Sequence, residues 1–441
     1  MSVDPAPAAF RREVAACADV ADSLPAEGLH TVEKYEIDSA RRRVLRHVQD
    51  RNGNVLTSAV AWSPQTLSHL SAADAHDSAW LRSQAAPLAP GGPALSMADL
   101  FSGCGGLTVG AVEACRALGR PVEHALAVDI EPAALAVYGD NFPGADLRDQ
   151  PIEMLVDGPL GSGPTPGERK LGDRLTGLDL VVAGPPCQGH SDLNNHTRRQ
   201  DPKNVLYLKV ARFVEVVRPR NVVIENVPGV AHDRHGVVPL AINALRQAGY
   251  TVTAGVVHAV ELGVPQNRKR HLLLATLDEK SLGAVQALSW QFHAPHRSVM
   301  WAISDLDEDP EGGTFDTSAR HSPTNNRRIK YLFDHGLYDL PNEQRPDCHR
   351  LKPHSYTSVY GRMRPDRPAP TITAGFGSTG QGRFVHPERP RTLTPHEAAR
   401  LQGFPDFFRF SSAAGRRALQ QMIGNAVHTR LAYSAVLGLV R

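Results

Sequence analysis

The stretch Asp179-Leu-Val-Val-Ala-Gly-Pro-Pro-Cys-Gln-Gly-His-Ser191 constrains this chain more than any other. Leu180 to Ala183 is a short apolar run with β-branched residues at its centre, and it reads as a buried strand. Gly184, Pro185 and Pro186 end it abruptly. Proline fixes φ and donates no backbone hydrogen bond, so the strand must give way to a stiff, exposed loop. Cys187 sits on that loop at the carboxyl end of the strand, where open α/β sheets place their chemistry. An arbitrary free cysteine is usually a small buried hydrophobe. A strand-end loop of this stiffness presents the thiol instead.

The units around this stretch have the same grammar. Ala94 to Phe101 reads as a strand, Ser102-Gly-Cys-Gly-Gly106 as a glycine turn, and Leu107 to Leu118 as a helix. A glycine turn between strand and helix lets backbone approach a ligand at a helix N-terminus. The next strand, His124 to Val128, ends in Asp129, whose carboxylate is placed to take the ribose hydroxyls of a nucleoside cofactor. Ile130 beside it offers an apolar face to a base. The alternative role for Asp129 is to cap the helix that begins at Glu131-Pro132. Asp146 and Asp149 follow the next turn, and residues 151 to 177 read as a Gly- and Pro-rich insertion loop. Leu206 to Val217 reads as an amphipathic helix, Asn221 to Asn226 as a strand with the acid Glu225 at its carboxyl end, just before Asn226, and Leu272 to Ala275 as a further strand. Arg268 and Arg270 are two apart, so both are expected to point to one face as the strand begins, toward the cleft.

Composition narrows the class. The chain has 441 residues, with 41% hydrophobic and 21% charged, the values of a folded globular protein. The net charge of +2 argues against a polybasic binder but leaves room for a basic cleft. Five cysteines, odd in number and without CxxC spacing, argue against a disulfide framework or a zinc site and fit a reducing cytoplasm. No run approaches a membrane span of about 18 apolar residues. Residues 1–92 form an N-terminal extension closed by the linker Pro87 to Pro93. Its Arg41, Arg42, Arg43 and Arg46 are expected on a short helix, and Asn52-Gly53-Asn54 marks a turn. From about Asp278 to Pro368 periodicity is poor and hydrogen-bonding side chains abound, as expected of a small separate domain, and regular structure resumes with Pro370 to Thr373. Thr394-Pro-His-Glu397 starts a helix, and the last helix is expected to include Gly424 to Val427.

Six motifs, in order, resemble those of the DNA (cytosine-5) methyltransferase family. They are Asp99-Leu-Phe-Ser-Gly-Cys-Gly-Gly106, Gly184-Pro-Pro-Cys-Gln188, Glu225-Asn-Val227, Gln266-Asn-Arg-Lys-Arg270, Arg391-Thr-Leu-Thr-Pro395 with Arg400-Leu-Gln-Gly-Phe-Pro405, and Gly424-Asn-Ala-Val427. The resemblance runs from about Met97 to the C-terminus. It implies a Rossmann-like α/β large domain over 93–278 that binds S-adenosyl-L-methionine, a target-recognition domain over 279–393, and C-terminal helices over 394–441 that return to the large domain. It implies cofactor contacts from Phe101, Ser102, Gly103, Gly105, Gly106, Leu107, Asp129, Ile130, Asp149, Pro185 and Asn425. It implies Cys187 as nucleophile, Glu225 as the hydrogen-bonding acid, and Arg270, with Arg268 in support, as the cation at the base. Double-stranded DNA is the implied partner, bound by a monomer, with a cognate restriction or defence system. His196, Arg198 and Arg199, on the loop after Ser191, are candidates for touching the DNA backbone. A related branch that methylates tRNA carries a Cys-Phe-Thr signature in its small domain. Here the only cysteine in that region is Cys348, followed by His349.

Overall fold

The computed structural model describes residues 32–50, 52–62, 70–186, 206–278, 282–309, 311, 313–351 and 358–441. Cys187 and the loop with His196, Arg198 and Arg199 lie outside the described residues.

The N-terminal unit is an antiparallel sheet of β1 (Glu33–Asp38), β2 (Arg43–Gln49) and β3 (Val55–Ala61), followed by α1 (Ala72–Leu81). The short helix expected around Arg43 and Arg46 is therefore a strand. Val44, Arg46 and Val48 alternate inward and are 0%, 1% and 0% exposed. This is the two-residue period of a strand, hidden in the sequence because its middle member is an arginine. Arg46 is buried because its guanidinium donates to Glu113, at 2.8 Å, on a helix of the large domain. It is thus unavailable to phosphates. The expected turn at Asn52 to Asn54 joins β2 to β3, with the Asp50 carboxylate accepting the N–H groups of Asn52 and Asn54.

The large domain is a seven-stranded sheet. In chain order its elements are β4 (Leu95–Leu100), α2 (Gly106–Ala117), β5 (Val122–Asp129), α3 (Pro132–Asn141), β6 (Leu147–Asp149), α4 (Pro166–Arg174), β7 (Leu180–Ala183), α5 (Leu206–Val217), β8 (Asn221–Asn226), α6 (Val237–Gln247), β9 (Thr251–His258) and β11 (Lys269–Thr276). The strand order is β6-β5-β4-β7-β8-β11-β9, with β11 antiparallel to both neighbours. The central strands are apolar on both faces. Leu180 and Val182 join the core beneath α2, while Val181 and Ala183 join the opposite core beneath α5 and α6. Continuous apolar runs of this kind belong to strands covered on both sides. The 151–177 segment is not only a loop: Thr165 caps α4 in a capping box with Glu168, with Pro166 at the first helical position.

β10 (Gln266–Asn267) stands outside this sheet. It pairs in parallel with β12 (Ala369–Pro370) of the small domain, so the small domain hangs from the segment that leads into β11. Between β11 and β12 the chain forms α7 (Val299–Ile303), whose Val299, Ala302 and Ile303 belong to the same core as α3, and α8 (Pro323–Asp334), whose Ile329 and Leu332 form a separate cluster with Leu340 and Val385. The chain then returns through α9 (Pro395–Leu401), α10 (Arg416–Asn425) and α11 (Thr429–Val440). The expected single last helix over Gly424 to Val427 is two helices. Asn425 ends α10, and α11 begins after His428, whose imidazole accepts the N–H of Arg430 as an N-cap.

Candidate functional site

The carboxyl ends of β4, β5, β6 and β7 form a cradle. Leaving β4, the chain turns through backbone of positive φ at Phe101 (59°), Gly103 (52°) and Gly105 (99°) before α2 begins. Two glycines are required there. A Cβ on Gly105 would lie 2.5 Å from the Phe142 ring, and one on Gly106 would lie 2.6 Å from the Val427 carbonyl oxygen. Phe101 takes the left-handed conformation without being glycine, a strained choice of the kind found at ligand sites. Asp129 anchors this turn. Its carboxylate accepts the N–H of Gly103 at 2.7 Å and that of Glu131 at 3.0 Å, so it supports the turn and the start of α3 together. Burial pushes its pKa up, against hydrogen bonds from Gly103, Glu131 and Ile130 that favour the charged form.

Ile130, beside it, is 62% exposed, an unusual state for an isoleucine next to a buried strand. Asp149 pairs in register with Asp129 across β5 and β6 and is exposed. Asp146, the other acid of that turn, is committed to Arg148 and Arg174. Asn425 is exposed at the end of α10. Ser102 and Leu107 are buried.

The second half of the site lies at the ends of β7, β8 and β11. Asn226 donates its amide N–H to the Pro185 carbonyl at 3.1 Å, tying the proline loop to β8. The sequence reading gave Asn226 no role, although it stands inside the Glu225-Asn-Val227 motif. Glu225 is 6% exposed, and Arg270 meets it with Nε 2.6 Å from Oε1. These two residues are brought together as expected.

Arg268 is not with them. The period-two argument requires a continuous strand, and the chain breaks between β10 and β11 at Arg268 itself. Its guanidinium is buried and donates to the Gln266 side chain, the carbonyls of Ile372 and Ala426, and the Gln402 side chain at 3.2–3.4 Å. Gln402 in turn donates to the carbonyls of Ile423 and Ala426. Gln266, Arg268 and Gln402 thus join the small domain, α9 and the end of α10 in one buried network. Arg268 therefore bridges the segments that follow β12 and α10 instead of joining Glu225 and Arg270. Gln266 and Gln402 had a signal in the sequence, since both lie inside quoted motifs, but neither carries charge.

Comparison with known proteins bears on this arrangement. Residues 95–439 match the family model of the C-5 cytosine-specific DNA methylases. The chain is similar to the Type II methyltransferase M1.BsuMI of Bacillus subtilis, 46% identical over 93% of this chain and 95% of the relative. It is similar to the Type II methylase M.HgiDII of Herpetosiphon aurantiacus, 32% identical over 76% of this chain and 91% of the relative. The solved Dnmt2 methyltransferase of S. pombe superposes with a TM-score of 0.55 at 18% identity, over 79% of this chain and 98% of that one, a likeness of fold. The cradle with its glycine turn, the Glu225–Arg270 pair and a family match over more than three quarters of the sequence agree: this chain belongs to the C-5 cytosine-specific DNA methylases and uses S-adenosyl-L-methionine.

Proposed function

We propose that the chain methylates C5 of a cytosine flipped out of duplex DNA, through a covalent bond between Cys187 and C6. The observation that carries this reading is the Arg270–Glu225 contact of 2.6 Å, at the carboxyl end of the sheet, beside the loop that leads to Cys187. C5 of cytosine is a poor nucleophile. Thiolate addition at C6 breaks the C5–C6 double bond and makes C5 an enamine carbon; departure of the C5 proton later restores the ring and expels the thiolate. Glu225 hydrogen-bonds N3 and carries or shares a proton there, so negative charge does not accumulate on the ring. Arg270, held by Glu225, faces O2 and stabilises the charge that develops on it. C6 is inaccessible within the stack, so the base must leave it, at a cost of a few kcal/mol.

The residues of the cradle suit the cofactor. Gly103 leaves open the space a side chain would fill, Gly105 and Gly106 let the turn close against Phe142 and Val427, the Asp129 carboxylate faces the ribose, and Ile130 presents an apolar surface to the adenine. Asp149 is placed for the adenine amino group, and Phe101, Pro185 and Asn425 close the sides. When bound, S-adenosyl-L-methionine supplies an electrophilic methyl group. Its Type II relatives support a cognate restriction activity as partner, with the methyl mark protecting the sites. Among the described residues, no helix is long and apolar enough to cross a membrane.

Duplex DNA carrying 5-fluorocytosine at the target tests the mechanism. Fluorine cannot leave as a proton does, so the reaction should halt as a protein–DNA adduct that survives denaturation and maps to Cys187. Cys187→Ser should abolish the adduct while keeping cofactor binding, because a hydroxyl ionises far less readily than a thiol. An adduct at another cysteine, or full turnover by the serine variant, would refute the assignment.

A further inference from the structure

One arginine of the small domain is held as a reader of bases would be. Arg364 is exposed, and its guanidinium lies 4.4 Å from the centroid of the Tyr338 ring. That ring is itself fixed. Arg362 lies 5.2 Å from the same centroid and 3.9 Å from that of Phe333. The Tyr338 carbonyl accepts the N–H of Arg362 and a guanidinium N–H of Arg383, each at 2.8 Å. The backbone under Arg364 is also pinned. Met363 donates its N–H to Val385 at 2.9 Å, and Arg367 donates to the Arg364 carbonyl at 3.3 Å, closing a turn with Pro365 in its second position.

The stacking orders a side chain that is otherwise among the most mobile, yet spends none of its donors on the described residues. Most neighbouring arginines differ. Arg362 donates to the Pro387 carbonyl, Arg383 pairs with Asp339, Arg389 with Asp307 and Arg391 with Glu397. Arg364 meets no carboxylate among the described residues. Five residues beyond it, β12 pairs with β10, the strand that leads into Arg270. The turn therefore hangs from the segment that also positions the target-base arginine.

We propose that Arg364, seated on Tyr338, selects a guanine of the recognised sequence by donating two N–H groups to O6 and N7 in the major groove. A planar fork that spends no donor on the described residues and is ordered before binding fits that edge, and no other base presents two acceptors there. This inference rests on the DNA-methylation reading above.

Mapping methylcytosine in DNA from cells expressing the wild-type protein defines the recognised sequence. Duplexes then carry 7-deazaguanine, which lacks the N7 acceptor, at each guanine in turn. At one position the wild-type protein should lose about tenfold or more in kcat/KM, and Arg364→Ala should be nearly insensitive to the same replacement. Arg364→Lys, which keeps the charge but not the fork, should accept other bases at that position. Tyr338→Leu should weaken selection at the same position only. Unchanged calorimetric binding of S-adenosyl-L-methionine by each variant shows that the fold is kept. A uniform loss on all sequences with a shallower salt dependence would place Arg364 on a phosphate and overturn the proposal. So would a recognised sequence without guanine, or an Arg364→Ala protein with wild-type sensitivity at every position. No methylation of any duplex by the wild-type protein would defeat the underlying reading as well, which separates the two failures.

Discussion

At Asp129 both carboxylate oxygens accept a backbone N–H, and the proposed cofactor site asks the same carboxylate to face a ribose. Asp129→Asn turns one acceptor into a donor that opposes Gly103 or Glu131. The dissociation constant for S-adenosyl-L-methionine should rise about tenfold to a hundredfold, as for the loss of a charged hydrogen bond, measured by calorimetry. Because burial raises this carboxyl, cofactor affinity should weaken on acidification at a higher pH than a surface carboxylate would give. Glu225→Gln should lower kcat by about a hundredfold or more while leaving cofactor affinity unchanged; single-turnover kinetics reads both. The Glu225–Arg270 pair was legible in the sequence because Glu225 follows an apolar run and both residues stand in motifs of the family, Glu225-Asn-Val227 and Gln266 to Arg270. Arg268 was not, because its surroundings come from Ile372, Gln402 and Ala426, more than a hundred residues away.

Among the elements, α10 shows how packing decides a functional position. A Cβ on Gly424 would lie 2.1 Å from the Ala374 backbone nitrogen, so α10 crosses that loop in direct backbone contact. Gly424→Ala must push the two apart and, with them, the adjacent Asn425. We expect a loss of about 1–3 kcal/mol in stability by urea unfolding, together with weaker cofactor binding. Full stability with normal binding would show that the crossing yields freely. The α4 helix carried its own start signal in Thr165-Pro166 and Glu168, obscured by the glycines and prolines before it. The break between α10 and α11 had no local breaker, since His428 caps the second helix only in its buried setting.

For the whole molecule, the N-terminal unit is part of the body. Its Arg46 pairs with Glu113, its Glu33 accepts from Arg430 at 2.9 Å and from the Tyr433 hydroxyl, and its Asp74 and Asp77 hold Arg297. Val32 and Val48 belong to the same core as α2 and α11. The linker at Pro87 to Pro93 suggests a separable appendage whose removal spares cofactor binding. The packing supports the opposite outcome. Deleting residues 1–90 should expose this core, lower the thermal midpoint by several degrees and weaken cofactor binding; an unchanged midpoint would show that the docking adds nothing. Burial opposes ionisation of Glu113, but Arg116 and Arg46 outweigh it and take its pKa down to about 2. An acid lowered on folding stabilises above its unfolded pKa of about 4.3 and loses that contribution as pH falls toward 2. Glu113→Gln should therefore flatten the acid loss of stability over that window. At neutral pH it should cost about 3 kcal/mol, since Arg46 is left buried beside an uncharged partner.

The division between sequence and tertiary structure follows from the range of the forces. The strands Leu180–Ala183 and Asn221–Asn226 and the helix Leu206–Val217 have the bounds that their own residues specify. Apolar runs and their glycine, proline or polar ends act within a few residues of themselves. The glycine turn, Asp129 at its strand end and the proline loop were determined in the same local way. Tertiary structure alone decided that Arg46 lies inside a strand, that Arg268 ties domains together, and that Glu33 and Arg430, 397 residues apart, meet. A charged side chain goes inside only when a partner waits there, and no local pattern records where that partner will be.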